Sequence, residues 1–442
     1  MATPATTPMP VWPLPPRTRS LIVWAVPAVF YLAGFYLRVS PAVMTTELMR
    51  DFGISAGSLG NFSAIYFYAY ILMQIPTGVL VDSLGARWLL LAGGTLAAAG
   101  TVLFGLTDNF FLACVGRGMV GTGTAVAWVV TLNIATHWLP ETWFALFAGL
   151  GLFMGNVGAL VAQVPLRLAV NRFEWRAVIL ASALVVVAIV GAAWAVVRND
   201  PTDEGFATYA PLALRRRDRL SIGGIARGFK DIFAFKNTWL IFLAQGGLVG
   251  SILSFTGLWG PPYVRTRFSV QPTTAAAVCS IMIVCWAVAS PLFGYASDRL
   301  GLRKPLYLGG AIVALSGWTV LLYAPGFGLV PFTVAGAVTA FATGAVIIGF
   351  PFAKESVPIR FLGTITGAIN MGNMVGPTVL QPAIGQILDA RWNGTLANGV
   401  RVYSLESYQT GFLLIVGWLT FTCVLIALTT ETRCRSLSAE PS

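Results

Sequence analysis

Two long apolar runs flank the stretch Gly78-Val79-Leu80-Val81-Asp82-Ser83-Leu84-Gly85-Ala86-Arg87, and a similar stretch returns later as Gly294-Tyr295-Ala296-Ser297-Asp298-Arg299-Leu300-Gly301-Leu302-Arg303-Lys304. Four positions of the first stretch have an equivalent 216 residues later: Gly78, Asp82, Gly85 and Arg87 correspond to Gly294, Asp298, Gly301 and Arg303. Because this spacing is close to half of the 442 residues, it indicates a duplicated half. In each copy, glycine permits a tight turn between apolar runs, and the carboxylate can meet a helix N-terminus or a cation.

The composition is that of a polytopic membrane protein. Hydrophobic residues make up 56% of the chain and charged residues 10%, with a mean hydropathy of +0.76, whereas a soluble domain has about 25% charged residues. The net charge of +11 does not indicate a nucleic-acid partner, because the cations are spread over loops. The five cysteines lack metal-ligand spacing, and no Walker A, Rossmann or nucleophile signature is present. We therefore expect no enzyme activity, no cofactor and no metal site.

Twelve apolar runs reach the length of about 20 residues that a spanning helix needs. Six lie at 21–45, 57–80, 88–106, 110–134, 143–168 and 176–197, and six at 238–262, 273–296, 305–324, 328–352, 361–388 and 410–430. The pattern predicts an all-α membrane protein with twelve transmembrane helices in two pseudo-symmetric six-helix bundles. The predicted parts are a proline-rich tail at 1–20, an N-terminal bundle at 21–197, a linker at 198–237 with an interfacial helix near 221–235, a C-terminal bundle at 238–430 and a tail at 431–442.

The repeated loop resembles the one between the second and third helices of the major facilitator superfamily, whose pattern is Gly-x-x-x-Asp-Arg-x-Gly-Arg-Arg/Lys, with a weaker copy between helices 8 and 9. Here Ser83, Ala86 and Leu302 replace basic residues of the pattern. The resemblance covers nearly the whole chain, and it is closest to the organic-anion and sugar-phosphate permease branch. It implies the fold of that superfamily and two loops that lock the halves at the cytoplasmic face. The expected gating residues are thus Gly78, Asp82, Gly85, Arg87, Gly294, Asp298, Gly301 and Arg303.

The distribution of basic residues predicts the orientation. With both termini in the cytoplasm, 18 of the 28 Lys and Arg residues fall in cytoplasmic segments, 8 in external segments and 2 within spans. The positive-inside rule therefore places both termini and the linker in the cytoplasm. No organellar address is evident, so we expect a multi-pass protein of a bacterial inner membrane.

Two arginines lie within predicted spans. Arg38 near the middle of the bilayer would cost about 2.5–3.5 kcal/mol on insertion scales, so it requires a water-filled cavity or an anionic partner. The alternative is that the first helix starts later and that Arg38 snorkels at the outer interface. Organic-anion members of the superfamily are similar here, which implies that Arg38 clamps the substrate anion. Arg117, with Gly121 and Gly123, resembles the helix 4 motif Arg-x-x-x-Gly-x-Gly, which implies a role in coupling or in bonding between helices.

No Asp or Glu lies well inside a predicted span. A pocket with one or two arginines and no carboxylate favours anions. The other candidates for substrate binding are aromatic and amide side chains, since an amide in lipid is costly. Together with Arg38 and Arg117, they are Tyr31, Tyr66, Tyr70, Asn156, Gln163, Trp259, Asn370 and Asn373.

These features predict a secondary transporter that moves a small organic anion, a carboxylate or a sulfonate, by alternating access. One alternative is efflux of a hydrophobic compound through a pocket of aromatic rings, with structural arginines. Another is a membrane sensor that binds a ligand and signals to a partner kinase through the linker. The expected partners are the substrate anion, a coupled proton or counter-anion and the lipid bilayer, but no nucleic acid, and the chain is expected to act as a monomer.

Overall fold

The computed structural model describes residues 13–210, 228–326, 328–358, 361–397 and 399–435. The helices of the first half are α1 Arg17–Val39, α2 Thr45–Phe52, α3 Ala56–Leu84, α4 Ala86–Leu106, α5 Phe110–Thr124, α6 Ala127–Trp138, α7 Phe144–Val161, α8 Val164–Arg172 and α9 Trp175–Val196. Those of the second half are α10 Lys236–Ser254, α11 Gly260–Phe268, α12 Pro272–Leu300, α13 Lys304–Tyr323, α14 Leu329–Thr343, α15 Gly349–Glu355, α16 Leu362–Ala390 and α17 Leu405–Ala427. A short antiparallel hairpin, β1 Leu396–Ala397 and β2 Val400–Arg401, lies between α16 and α17.

Ten helical segments of the described residues are long and apolar enough to cross a membrane. The other two predicted spans correspond to α3 and α16, each of 29 residues and so about 43 Å long at 1.5 Å per residue. These two helices pack against each other where the halves meet. Their contact allows these helices to carry polar side chains such as Gln74 and Asn370, which bond to each other across it.

Several spans are interrupted. A break at Ala125 and Val126 separates α5 from α6, and a 3-10 turn at Gly344–Ile348 separates α14 from α15. The chain also breaks at Gln163, between α7 and α8, and a π-helical turn at Phe255–Trp259 joins α10 to α11. Each interruption disturbs the regular ladder of backbone hydrogen bonds, so the freed carbonyl groups need donors from elsewhere.

We call the face that carries Leu84, Trp138 and Val196 the linker face, because the chain continues from Val196 into the segment 198–210. The opposite face, which carries Val39 and Ala390, is the far face. The halves contact each other most closely at the far face, where a Cβ added to Gly60 of α3 would lie 2.5 Å from the Gln381 carbonyl oxygen of α16.

The start of the linker folds back onto the linker face of the first half. Trp138 Nε1 donates to the Arg198 carbonyl at 3.2 Å, and the backbone N–H of Tyr209 donates to the His137 carbonyl at 3.1 Å. Arg19 Nε donates to Glu204 at 2.9 Å, and this hydrogen bond holds the pKa of Glu204 below its ordinary value. Of the interfacial helix predicted near 221–235, residues 228–232 are helical and residues 221–227 lie outside the described part.

Candidate functional site

Arg38 is buried near the far-face end of α1, with only 5% of its surface exposed. Its Nε donates to the Tyr66 hydroxyl at 3.4 Å. Its Cζ lies 4.2 Å from the ring centroid of Phe35, 5.1 Å from that of Tyr70 and 5.5 Å from that of Tyr66. The guanidinium is therefore surrounded by aromatic faces at cation–π distance instead of lying at the lipid surface.

No carboxylate pairs with Arg38 among the described residues, and its two terminal nitrogens have no hydrogen-bond partner there. The acidic residues of α2 have other partners, since Glu47 pairs with Arg167 at 2.7 Å and Asp51 accepts from Trp175 Nε1 at 2.6 Å. Unpaired N–H groups on a buried cation are costly. An anion that supplied the missing acceptors would thus be bound strongly at this position.

Arg117 donates hydrogen bonds to the backbone at Arg38. Its terminal nitrogens donate to the carbonyl oxygens of Leu37 at 2.5 Å and of Arg38 at 2.7 Å. These carbonyls belong to the last turn of α1, where a cation is favoured by the helix dipole. The geometry makes Arg117 a positioning residue whose terminal donors face α1.

A hydroxyl chain fixes the Tyr66 side chain beside Arg38. The Tyr66 and Thr124 hydroxyls lie 2.8 Å apart, and Thr124 Oγ1 donates to the Val120 carbonyl at 2.8 Å. With that proton committed, Thr124 accepts from Tyr66, whose oxygen then accepts from Arg38. Thr124 was not among the predicted residues, although its spacing of seven from Arg117 places both on one face of a helix.

Tyr31 belongs to the same aromatic cluster. Its ring centroid lies 4.9 Å from that of Phe35 and 5.1 Å from that of Trp128. The cluster excludes bulk water on one side of Arg38, because Tyr31 and Tyr70 are 7% and 4% exposed. Trp128 was missed in the sequence because nothing distinguishes it there from the other 13 tryptophans.

A hydrogen bond between amides crosses from one half to the other near this cluster. Asn370 Nδ2 of α16 donates to Gln74 Oε1 of α3 at 3.0 Å, and both amides also face the Tyr70 side chain. Asn373 is buried on the next turn of α16, and its Oδ1 has no hydrogen-bond partner in the described part of the chain. Gln74 was not predicted, although the cost of an amide in lipid, which selected Asn370, applies equally to it.

Gln163 and Trp259 lie at the far-face contact between the halves. Gln163 Nε2 donates to the Thr256 carbonyl of the π-helical turn at 2.9 Å, and Trp259 Nε1 donates to the Gln381 carbonyl at 3.0 Å. Gln163 thus supplies a donor to an interrupted span, whereas Trp259 joins the π-helical turn to α16. Asn156 bonds within its own helix, to the Leu152 carbonyl at 3.2 Å. The structure does not bring these three residues into contact with Arg38.

The far face is sealed by a carboxylate of the second half at a helix N-terminus of the first. Asp389 accepts from the backbone N–H groups of Gly57 at 2.8 Å and of Ala56 at 3.2 Å, which open α3. Tyr403 donates its hydroxyl to Asp389 at 2.7 Å, and Arg401 lies 3.2 Å from the same carboxylate. Free N–H groups and the helix dipole both favour an anion there.

The repeated loops lie at the linker face, and the described partners of their arginines belong to their own halves. Arg87 donates to the Trp194 carbonyl at 2.9 Å, whereas Arg303 pairs with Asp298 at 2.6 Å and with Glu355 at 2.7 Å.

Both turns of the repeated loops need glycine, since φ is +82° at Gly85 and +66° at Gly301. Added Cβ atoms would meet open space at Gly78 and a neighbour only at 4.0 Å at Gly294. The Asp82 side chain lies outside the described part, and the gating role stays a prediction.

Two helical halves with repeated loops, in a chain with ten described segments that are long and apolar enough to span a membrane, are typical of the class of polytopic membrane transporters. A model of the Major Facilitator Superfamily matches residues 25–380 and 248–439, and the chain belongs to this family.

Three curated relatives extend over most of the chain. An uncharacterized transporter, YybO of Bacillus subtilis, is 22% identical over 93% of this chain and 95% of its own length. The probable galactarate/D-glucarate transporter GarP of Escherichia coli is 25% identical, with coverages of 83% and 87%. The lysosomal dipeptide transporter MFSD1 of Danio rerio is 23% identical, with coverages of 81% and 78%.

A solved structure has the same fold. It is a bacterial homolog of the human lysosomal transporter Spinster in an inward-facing, unoccupied conformation, with a TM-score of 0.74 and 17% identity. The match covers 96% of this chain and 100% of that chain.

Proposed function

We propose that this protein is a secondary transporter that carries a small organic anion, of the carboxylate or sulfonate type, by alternating access. The observation that carries the proposal is Arg38, a buried cation with unpaired terminal nitrogens and aromatic neighbours. A carboxylate or sulfonate offers two oxygens to the forked donors of a guanidinium. Tyr31, Tyr66, Tyr70 and the amides Asn370 and Asn373 would complete the pocket.

The relatives support a transporter and differ in substrate. GarP is a probable transporter of galactarate and D-glucarate, which are dicarboxylates, whereas MFSD1 is a dipeptide transporter. Both substrate classes contain a carboxylate, for which Arg38 is a suitable partner. Dicarboxylates and dipeptides are therefore the first compounds to test.

We place the linker face in the cytoplasm of a bacterial inner membrane, because most Lys and Arg residues lie on that side. The contacts between the halves at the far face then correspond to a conformation closed to the exterior. The repeated loops, with Asp82 and Arg87 in one and Asp298 and Arg303 in the other, would close the linker face in the alternate conformation. The carrier would act as a monomer whose anion transport is coupled to a proton or to a counter-anion.

Uptake assays on Arg38 variants in proteoliposomes test the proposal. We expect Arg38→Ala to reduce uptake of the transported carboxylate to background, and Arg38→Lys to leave weak, less selective uptake because the planar fork is lost. Arg50→Ala is a matched control, since that arginine is exposed on α2 and pairs with its neighbour Asp51. Uptake that survives in Arg38→Ala would contradict the anion clamp.

A second candidate is efflux of a hydrophobic compound, which the rings around Arg38 favour. A neutral compound does not need the guanidinium, so Arg38→Ala should retain its efflux. Transport of neutral dyes by both the wild type and Arg38→Ala, without carboxylate uptake, would favour this second function.

A further inference from the structure

The interface of α3 and α16 is tight at one end and open at the other. Toward the far face, a Cβ added to Gly60 would lie 2.5 Å from the Gln381 carbonyl oxygen, and one added to Gly385 would lie 2.4 Å from that of Ala56. Toward the linker face, Cβ atoms added to Gly78 of α3 or Gly367 of α16 would meet none of the described residues within 4 Å. The two helices therefore form a wedge that opens toward the linker face.

The Gln74–Asn370 hydrogen bond lies where this wedge begins to open. Gly78 is one turn beyond Gln74 and Gly367 is one turn beyond Asn370 toward the linker face, so both glycines lie close to the faces that carry the amides. The other hydrogen bonds between the halves among the described residues lie near the far-face ends of the helices. The amide pair is thus the last polar contact before the open end.

Arg38 lies on the closed side of this contact. Tyr70 is one turn from Gln74 toward the far face, and its ring lies 5.1 Å from the Arg38 guanidinium carbon. Only 5% of the Arg38 surface is exposed, although the wedge between α3 and α16 is open on the linker-face side of this residue. A solute that enters from the linker face would meet the amide pair and Tyr70 before it reached Arg38.

We infer that Gln74 and Asn370 form a gate that closes the Arg38 site on its linker-face side and selects for a polar solute; the selectivity rests on the proposed function. A bond between neutral amides is weak enough to open repeatedly. An oxygen of the arriving anion can replace Gln74 Oε1 as acceptor for Asn370 Nδ2, and a charged acceptor makes the stronger bond. An apolar solute offers no acceptor and would leave that donor unpaired.

Thiol labelling measures this gate without knowledge of the natural substrate. The reporter is Phe35→Cys beside Arg38, in a chain whose five native cysteines are replaced by serine or alanine. Inside-out vesicles expose the linker face, to which methyl methanethiosulfonate, a neutral reagent, or its anionic sulfonatoethyl analogue is added. We expect Gln74→Ala and Asn370→Ala each to raise the neutral labelling rate by about tenfold, and the double variant to raise it no further, because one bond is lost in every case.

Asn171→Ala is the matched control, since this amide accepts from Arg167 of its own helix α8 at the far face, and its labelling rate should equal that of the parent. Oxidative cross-linking of Gln74→Cys with Asn370→Cys should block labelling, and reduction should restore it. Unchanged neutral rates in both single alanine variants would overturn the gate. A separate result would contradict the anion proposal. It is that Arg38→Ala leaves unchanged the ratio of the labelling rate with the anionic reagent to that with the neutral reagent.

Discussion

At the scale of single residues, two buried arginines, each within an apolar run of the sequence, have different roles. The terminal donors of Arg117 are used by the Leu37 and Arg38 carbonyls, whereas the terminal donors of Arg38 have no partner among the described residues. The sequence could predict that both cations lack a carboxylate, because no acidic residue lies at their depth. It could not assign their roles, because that depends on where α1 ends relative to α5.

Arg117→Ala should destabilise the protein and displace Arg38. The change removes the guanidinium donors of the Leu37 and Arg38 carbonyls. The Leu37 carbonyl keeps the Ser40 hydroxyl as a donor at 3.1 Å, and a typical cost is about 1–3 kcal/mol for a group that is left unsatisfied. We expect a lower apparent melting temperature and a raised KM for the transported anion. Arg38→Ala is the comparison, since it should abolish transport with a smaller loss of stability. An unchanged melting temperature in Arg117→Ala together with lost binding would instead indicate that Arg117 contacts the substrate.

At the scale of elements, the segment that follows the last helix of each half caps the third long helix of that half. Asn199 Oδ1 accepts from the backbone N–H of Arg87 at 2.8 Å, at the start of α4. Glu431 accepts from the backbone N–H groups of Lys304 at 2.8 Å and of Arg303 at 3.1 Å, at the start of α13. The equivalent caps are an element-level sign of the duplication that the repeated loops indicate in the sequence.

Some bounds of the helices can be predicted from the sequence, and others cannot. Apolar length and periodicity locate spans such as 88–106, which corresponds to α4 at Ala86–Leu106. The same criterion cannot predict the π-helical turn at Phe255–Trp259, because the carbonyls of Leu253 and Thr256 accept from the side chains of Gln381 and Gln163, which are distant in the chain. The caps of α4 and α13 likewise come from residues more than 100 positions away in the chain.

Glu431→Gln should weaken the start of α13 in a manner that depends on pH. Burial opposes ionisation, but bonds from the backbone N–H groups of Arg433, Arg303 and Lys304 hold the pKa of Glu431 below its ordinary value. A lowered carboxyl pKa stabilises the fold above the ordinary pKa, and this contribution disappears as the pH falls through the lowered value. At pH 7 we expect a loss of about 0.3–1 kcal/mol, measured as a lower apparent melting temperature.

The difference between Glu431→Gln and the wild type should shrink as the pH falls below the ordinary glutamate pKa of about 4.3 and then through the lowered pKa of Glu431, because the wild-type carboxylate becomes protonated. Asn199→Ala is the matched control at the equivalent cap of the first half. Its effect should not change with pH, because an amide does not titrate. A pH-independent loss in Glu431→Gln would show that the charge of the cap contributes nothing.

At the scale of the whole molecule, the contacts between the halves are concentrated at one face. The far face is joined by Asp389 at the start of α3 and by Gln163 at the π-helical turn, whereas α3 and α16 diverge toward the linker face. The sequence could predict two halves from the repeat. It could not predict which face is closed, because a carrier of the proposed kind forms both conformations from one sequence.

Asp389→Asn should shift the population of conformations toward one that is open at the far face. The carboxylate makes charge-assisted bonds to the start of α3, and these bonds exist only while the halves are in contact there. Loss of about 1.5–3 kcal/mol from one conformation changes its population ratio by roughly 10- to 150-fold. Spin labels at the exposed positions Arg50 and Asn393 would report the separation by double electron–electron resonance, with a larger long-distance component in the variant.

Arg391→Gln is the control, since its pair with Glu406 lies within the second half and its loss should not alter the distances. Identical distance distributions for Asp389→Asn and the wild type would mean that Asp389 is only a helix cap. Closure of the far face would then depend on the backbone packing at Gly60 and Gly385.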